Sequence, residues 1–419
     1  MVVVKRLLGL VVLLAVCVAP AAAPSASVTV IPTATRTPAP TAVPTASALP
    51  SAASGGIEVF ATGQLHGTYV WVVGEVAEAQ DRVIESLYAV PLDGSSARLV
   101  VRHLRPRGVP MFGGQSSLGI IPFRQISPDG TKLALEQSSL GPAAHDGFVV
   151  IDMANGTITE LARGDRQPDV LPAWSPDGAQ IAFARRTTTP GSPDDGLWVI
   201  NADGSGIRRV LPGSCCAQVT AVYGWTADGA GIAFAVTFEG ADYSIANVAS
   251  GAVTGPHGQA FGLTPASWRL QVPQFAGAFS QGDKGGEQRI DVADGIGKTP
   301  RTVWHEPSNF STGDPLLLNA RWSPIAGEIL FLRSGSESKV VRVAATGGTA
   351  TNVPTVDQPT KAEWLPDGRI AYISKAKGIA SYTLAPAVVR VTDGTRDAVL
   401  LPIPPTGAMF TDLVVRTYP

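Results

Sequence analysis

Charge is scarce in this chain: Asp, Glu, Lys and Arg make up 16% of its 419 residues, well under the roughly 25% of an ordinary globular protein. The formal net charge is −2, so no excess of Lys and Arg draws it to nucleic acid or to an anionic membrane surface. Cysteine is nearly absent at three residues, and the five histidines are scattered along predicted loops. The chain has no Gly-x-Ser-x-Gly elbow and no His-Glu-x-x-His pair, which removes the usual signatures of a serine hydrolase and of a zinc peptidase. Nor does any Asp-x-Asp-x-Asp calcium loop occur. No catalytic residue, metal ligand or cofactor is read from the sequence. Glycine (45) and proline (34) are plentiful instead, and they imply many tight turns.

The first residues carry an export signal, with Lys5 and Arg6 ahead of an apolar run from Leu7 to Val18 and then small residues. Ala19-Pro20-Ala21 fits a small-x-small cleavage site, so residues 1–21 are expected to be a signal peptide. Two other fates stay open: lipidation at Cys17, though Val16 stands where the lipoprotein pattern prefers a small residue, and retention as an uncleaved anchor. From residue 22 to 56 the composition collapses to Pro, Thr, Ala, Ser and Val. Such a stretch buries no core and favours extended, polyproline-like conformations, so it is expected to be a disordered, semi-stiff spacer. An extracytoplasmic location follows, with membrane attachment only through the N-terminal anchor or a lipid.

Residues 57–419 are dominated by a repeated phrase. It appears as Ile126-Ser-Pro-Asp-Gly, Trp174-Ser-Pro-Asp-Gly, Trp225-Thr-Ala-Asp-Gly, Trp322-Ser-Pro and Trp364-Leu-Pro-Asp-Gly, at intervals of roughly 40 to 55 residues, which marks a repeat architecture. Each phrase fits a strand pair joined by a type I turn: Pro presets the second position, Asp suits the third, and Gly accepts the left-handed conformation that follows. Short apolar runs come next, as in Ile181-Ala-Phe-Ala and Ile370-Ala-Tyr-Ile, and suit a strand covered on both faces. A second hairpin recurs downstream in seven copies ending at Gly94, Gly156, Gly204, Gly251, Gly295, Gly348 and Gly394. Two hairpins per unit give a four-stranded antiparallel sheet, and a ring of such sheets is a β-propeller.

These residues resemble the TolB-like propeller repeats, whose blades carry Trp-Ser-Pro-Asp-Gly-x-x-Ile-Ala-Phe and then a strand ending in Asp-Gly-Ser. The match is close from Trp174 to Arg209 and weakens at Ile126, Trp225 and Trp322. The resemblance implies an all-β propeller and, weakly, an envelope protein partner; the amino-terminal domain of TolB has no counterpart here. The first unit shows no leading hairpin, while Phe410 to Tyr418 is a strand with no unit of its own. It is therefore expected to complete the first blade and close the ring, giving seven blades, or six if Ser244 to Trp304 forms one.

The repeat tryptophans are read as core and the turn aspartates as turn residues. Cys215-Cys216 is a candidate vicinal disulfide, with separate thiols as the alternative, in a segment leading to the face where propellers bind. Long loops are expected over Arg102 to Arg124, with a basic cluster, and over His305 to Ala320. Arg124, Tyr223, Arg321, Lys361 and Glu363 flank the innermost strands and are the candidate channel-lining, ligand-binding residues, a placement that a one-residue register slip would reverse. The functional expectation is a monomeric, non-catalytic propeller that binds an envelope or extracellular protein or envelope component. The alternative is a propeller enzyme, or a carbohydrate- or small-molecule-binding protein, that uses the channel mouth.

Overall fold

The computed structural model describes Ile57 to Tyr418, except residues 78–81, 107–124, 138–146, 164–168, 186–191, 193, 214–218, 227, 237–242, 256–274, 281–286, 294–299, 308–315, 335–336, 377–385 and 403–408. The chain divides into two units, Met1–Thr37 and Pro38–Pro419, and every described residue lies in the second. The expected signal peptide and spacer, Arg124, Cys215, Cys216 and Trp268 lie outside the described residues.

Among the described residues the strands form seven antiparallel sheets. The first has five strands in the order β1 (Ile57–Val59), β4 (Arg98–Pro106), β3 (Arg82–Pro91), β2 (Gly67–Ala77) and β27 (Met409–Tyr418). A three-stranded sheet follows: β5 (Lys132–Gln137), β6 (Gly147–Asp152) and β7 (Ile158–Arg163). Next come β8 (Asp169–Trp174), β9 (Gln180–Arg185), β10 (Gly196–Asn201) and β11 (Arg208–Pro212), then β12 (Val219–Trp225), β13 (Gly231–Val236), β14 (Tyr243–Asn247) and β15 (Val253–Thr254). The fifth sheet holds β16 (Phe275–Ser280), β17 (Glu287–Ala293) and β18 (Arg301–Pro307). The sixth holds β19 (Leu316–Trp322), β20 (Glu328–Ser334), β21 (Lys339–Ala344) and β22 (Thr351–Val353), and the seventh β23 (Gln358–Trp364), β24 (Ile370–Lys375), β25 (Ala387–Thr392) and β26 (Asp397–Leu401). The stretch from Ser244 to Trp304 is thus shared between the fourth and fifth sheets. Strand β1 was not foreseen from the sequence.

The turn chemistry is that of the repeated phrase. In Ser175-Pro-Asp-Gly the Gly178 amide donates to the Ser175 carbonyl at 2.9 Å, the Ser175 hydroxyl donates to Asp177 at 2.6 Å, and Gly178 has a φ of 71°. The other face of the same hydroxyl accepts from the Gln180 amide at 2.9 Å. One side chain thereby closes the turn and starts the next strand. Thr226 and Asp228 reproduce the arrangement where Ser and Pro are missing. Hydrogen bonds from the Ser175 hydroxyl and the Ala179 amide hold the Asp177 carboxyl below the usual carboxylate range.

Sheet packs on sheet through the leading strands: β5 with β8, β8 with β12, β16 with β19, β19 with β23, and β23 with β27. The second strand of each unit is apolar on both faces because it lies between neighbours, and Ile181, Ala182, Phe183 and Ala184 are all buried. The repeat tryptophans are core, as expected, and they also reach across the seams. Trp174 Nε1 donates to the Gln125 carbonyl at 2.7 Å, Trp225 Nε1 to that of Ala173 at 2.9 Å, and Trp364 Nε1 to that of Arg321 at 3.3 Å. In each case the acceptor is the residue just before the repeat position of the preceding sheet. An indole N–H buried between apolar sheets needs an acceptor, and the register supplies one at these three seams.

The seam between the first and second sheets is built differently. Ile126 replaces the tryptophan and has no N–H to give. Strand β27 pairs along β2 from Gly67↔Tyr418 to Glu75↔Met409, and Tyr418 occupies the seam. Its hydroxyl accepts from Trp71 Nε1 at 2.8 Å, and Trp71 meets its ring edge-on at 6.5 Å. Gly130 lies directly against that ring: a Cβ there would stand 1.5 Å from a ring carbon of Tyr418. A strap of chain after β1 reinforces the junction, with the Thr62 and Gly63 amides donating to the Met153 and Ala154 carbonyls of the second sheet. Arg98 Nη1 holds the strap by donating to the Thr62 carbonyl at 2.8 Å.

Candidate functional site on the leading strands

Three of the five residues singled out from the sequence come together. Arg321 lies on β19, one residue before Trp322; Lys361 and Glu363 lie on β23 and flank Ala362. Residues two apart on a strand share a face, so Lys361 and Glu363 project from the same side of β23. Arg321 Nε donates to Glu363 Oε2 at 2.6 Å, and the pair is nearly buried, with side-chain exposures of 6% and 12%. Lys361 Nζ stands 3.7 Å from Asp412 Oδ2 on β27. These two contacts tie β23 to the leading strands on either side of it.

Asp412 and Arg416 complete the cluster, and sequence reasoning missed both. The signal was present: two charges four apart in the otherwise apolar strand Phe410-Thr-Asp-Leu-Val-Val-Arg. The Leu413 amide donates to Asp412 Oδ1 at 2.8 Å, and the Trp364 amide to Glu363 Oε1 at 3.1 Å. Burial pushes the Asp412 carboxyl above the ordinary range despite Lys361, the Leu413 amide and Arg321. Glu363 is likewise raised by burial against the pull of Arg321, and the Asp412 charge adds to the rise. Burial lowers Arg416, while the charge of Glu363 acts to hold its proton. Glu363, Asp412 and Arg416, on two neighbouring strands, are therefore desolvated together.

Tyr223 sits elsewhere, half-buried on β12. Arg124 and the Cys215–Cys216 pair are outside the described residues. The long basic loop expected from Arg102 needs correction, because β4 runs on through Pro106. Arg102 and His103 are buried in the sheet: Arg102 Nη1 donates to Glu58 of β1 at 3.1 Å, and His103 faces Glu85 across the ladder with 4.0 Å between Nδ1 and Oε2. The loop expected from His305 is also shorter, since β18 extends through Pro307 and His305 pairs with Glu287. Cross-strand pairing opposite charged and polar partners draws these residues into strands that composition alone assigned to loops.

No family model and no curated protein matches this chain. Several solved structures are similar at low identity. TolB from Acinetobacter baumannii is 14% identical with a TM-score of 0.40, covering 82% of this chain and 82% of that one. An oligogalacturonate lyase from Vibrio parahaemolyticus is 10% identical with a TM-score of 0.45, covering 81% of this chain and 87% of that one. A prolyl endopeptidase is 14% identical with a TM-score of 0.48 over 84% of this chain and 50% of that one, so the chain spans half its length. Likeness at this level assigns neither a family nor an activity.

Proposed function

We propose that the seven sheets are the blades of one propeller, closed where β27 joins β2, and that this propeller is an exported, TolB-like, non-catalytic binding module. It engages a protein or an envelope component from the face onto which the leading strands open. Export is supported by Lys5 and Arg6 ahead of the apolar run, and the Pro- and Thr-rich stretch that follows suits a spacer. The observation that carries the binding reading is the charge arrangement on β19, β23 and β27. Arg321 with Glu363 and Lys361 with Asp412 pair opposite charges between neighbouring sheets, holding the leading strands in register beneath the binding face. Lys361 is the most accessible of the four, with 27% of its side chain exposed.

The test is affinity capture of envelope proteins on the immobilised, exported protein, run beside Lys361→Glu. A partner retained by the parent and lost in the variant supports the reading. Turnover of a small molecule by the purified protein, with no partner retained, overturns it.

A further inference from the structure

The turn between β6 and β7 holds the one Asn-Gly step in the chain, Asn155-Gly156. Asp93, Asp203, Ser250 and Asp393 precede the glycines of four other second hairpins. An asparagine followed by glycine is open to attack on its side-chain amide carbon by the next backbone nitrogen, because glycine has no Cβ to obstruct the approach. Asn155 is exposed to water, which the second half of that reaction consumes.

In the folded turn the reacting groups are tied down. The Gly156 amide donates to the Asp152 carbonyl at 2.8 Å, which occupies the attacking nitrogen. Asn155 Nδ2 donates to Asp152 Oδ2 at 3.0 Å, and Asn155 Oδ1 accepts from the Thr157 amide at 2.8 Å. The carboxamide therefore cannot rotate onto the nitrogen without breaking one of these bonds. The strap lies over the same turn, its Thr62 and Gly63 amides donating to the Met153 and Ala154 carbonyls at 2.9 and 3.3 Å. A Cβ on Gly156 would stand 3.8 Å from Val59 and 3.9 Å from Ala61.

The fourth sheet provides a control. Asn247 to Ala252 forms the same six-residue turn, with the Gly251 amide on the Asn247 carbonyl and the Asn247 amide on the Ala252 carbonyl, both at 2.8 Å. Asn247 Oδ1 accepts from the Ala249 and Ser250 amides, as Asp152 Oδ1 accepts from those of Ala154 and Asn155. The turn thus forms with a neutral first residue and with serine ahead of its glycine.

We propose that Asn155 is a deamidation site, held off while the turn and strap are closed and released when they open. The Gly156 nitrogen bonds to Asn155 Cγ, the bond from Cγ to Nδ2 breaks, and Nδ2 leaves as ammonia, carrying the proton that the Gly156 nitrogen gives up. A five-membered succinimide remains. Water opens it at Cγ to give aspartate, or at the backbone carbonyl carbon to give isoaspartate, and no cofactor or oxidant is consumed. Either product spoils the turn. A carboxylate at residue 155 replaces the hydrogen bond to Asp152 Oδ2 by a like-charge contact, and isoaspartate also lengthens the backbone next to the two carbonyls that hold the strap. The modification thereby loosens the junction of the first and second sheets.

The experiment is peptide mapping of the full chain by mass spectrometry, folded and in guanidinium at one mildly alkaline pH, separating the asparagine, aspartate and isoaspartate forms of residue 155. The reaction is expected to run at least about tenfold slower in the folded chain. Asp152→Asn releases Asn155 Nδ2 while keeping the turn, as Asn247 does, and speeds the reaction several-fold in the folded chain. Asn155→Ser, patterned on Ser250, abolishes it. Hydrogen exchange reads the consequence, with residues 57–63 exchanging faster in Asn155→Asp than in Asn155→Ser. Equal rates in the folded and unfolded parent, or in the folded parent and folded Asp152→Asn, overturn the proposal. A glycan on Asn155, which the sequence Asn-Gly-Thr also permits, overturns it too, and equal exchange at 57–63 in the two residue-155 variants overturns the loosening of the junction.

Discussion

Two seams of this molecule do the same job with different parts. Where the repeat is intact, as between the third and fourth sheets, a tryptophan from one sheet donates its N–H to a carbonyl of the sheet before it. Where the repeat fails, at Ile126, the seam relies on a tyrosine from the other end of the chain, a glycine pressed against its ring and a strap of backbone. The first solution is modular, because every partner lies within one repeat of the next. The second is not modular, because each part matters only when β27 has met β2. The pairing of β27 with β2 makes a joint of the second kind, and that joint concentrates the consequences of small changes.

The sharpest way to break the comparison is a matched pair of glycines. Gly130 and Gly178 occupy the same turn position with φ of 72° and 71°. Gly178→Ala meets only Pro128 at 3.5 Å and should cost about 1–2 kcal/mol for the left-handed backbone alone. Gly130→Ala adds the collision with the Tyr418 ring and should cost roughly 3–5 kcal/mol. Chemical denaturation of the two variants checks this, and equal losses would show that the Tyr418 seam yields without penalty.

A second set sharpens the modular seam. Replacing the repeat tryptophan by Phe keeps most of the packing but leaves a buried carbonyl without its donor, at about 1–3 kcal/mol. The order should follow the bond lengths, with Trp174→Phe (2.7 Å) worst, then Trp225→Phe (2.9 Å), then Trp364→Phe (3.3 Å). Thermal unfolding resolves the series, and an order unrelated to those distances would mean that ring packing, not the hydrogen bond, sets the cost.

Smaller effects are expected at the strap. Arg98→Ala removes the donor to the Thr62 carbonyl at an exposed position and should cost about 0.5–1 kcal/mol. Faster exchange confined to residues 57–63 is the corresponding local signature. The smallest expected change comes from the turns. Asp177 and Asp228 are held low by their hydroxyl and amide donors, and Asp393, through the Arg396 amide and Thr395, falls to about 2. Their contribution is present above pH ~4 and is lost as pH falls through their lowered values, the opposite sense to the raised carboxyls of Glu363 and Asp412. Being exposed, each turn is worth under about 0.5 kcal/mol. Asp177→Asn should therefore flatten the acid limb of the melting profile only slightly.

What was legible in the sequence was whatever depends on local chemistry. The Ser-Pro-Asp-Gly turns, the doubly covered strand after each, and the pairing of Phe410 to Tyr418 with the first unit all follow from turn preference, apolar periodicity and counting. Arg321, Lys361 and Glu363 could be singled out because they flank the repeat tryptophans on the leading strands, but nothing local to the sequence said that Arg321 and Glu363 would pair. Asp412 escaped because no repeat tryptophan marks its register. The burial of Arg102 and His103 escaped for a related reason: their partners Glu58 and Glu85 lie on separate strands, and composition read the run as a basic loop. The indole-to-carbonyl bonds were invisible because they depend on how one sheet is set against the next.

The pairing of β2 with β27 also governs the order in which the fold can be completed. Trp71 and Tyr418 are 347 residues apart, so the first sheet to be synthesised is the last to be completed. Contacts of such long sequence separation form slowly because loop closure must come first. Until the ten residues of β27, Met409–Tyr418, have emerged, the edge of β2 stands open with Val70, Trp71, Val72 and Val73 beside it, a surface that invites pairing with another chain. A chain shortened by those residues keeps every repeat and still leaves its first sheet with an unpaired edge.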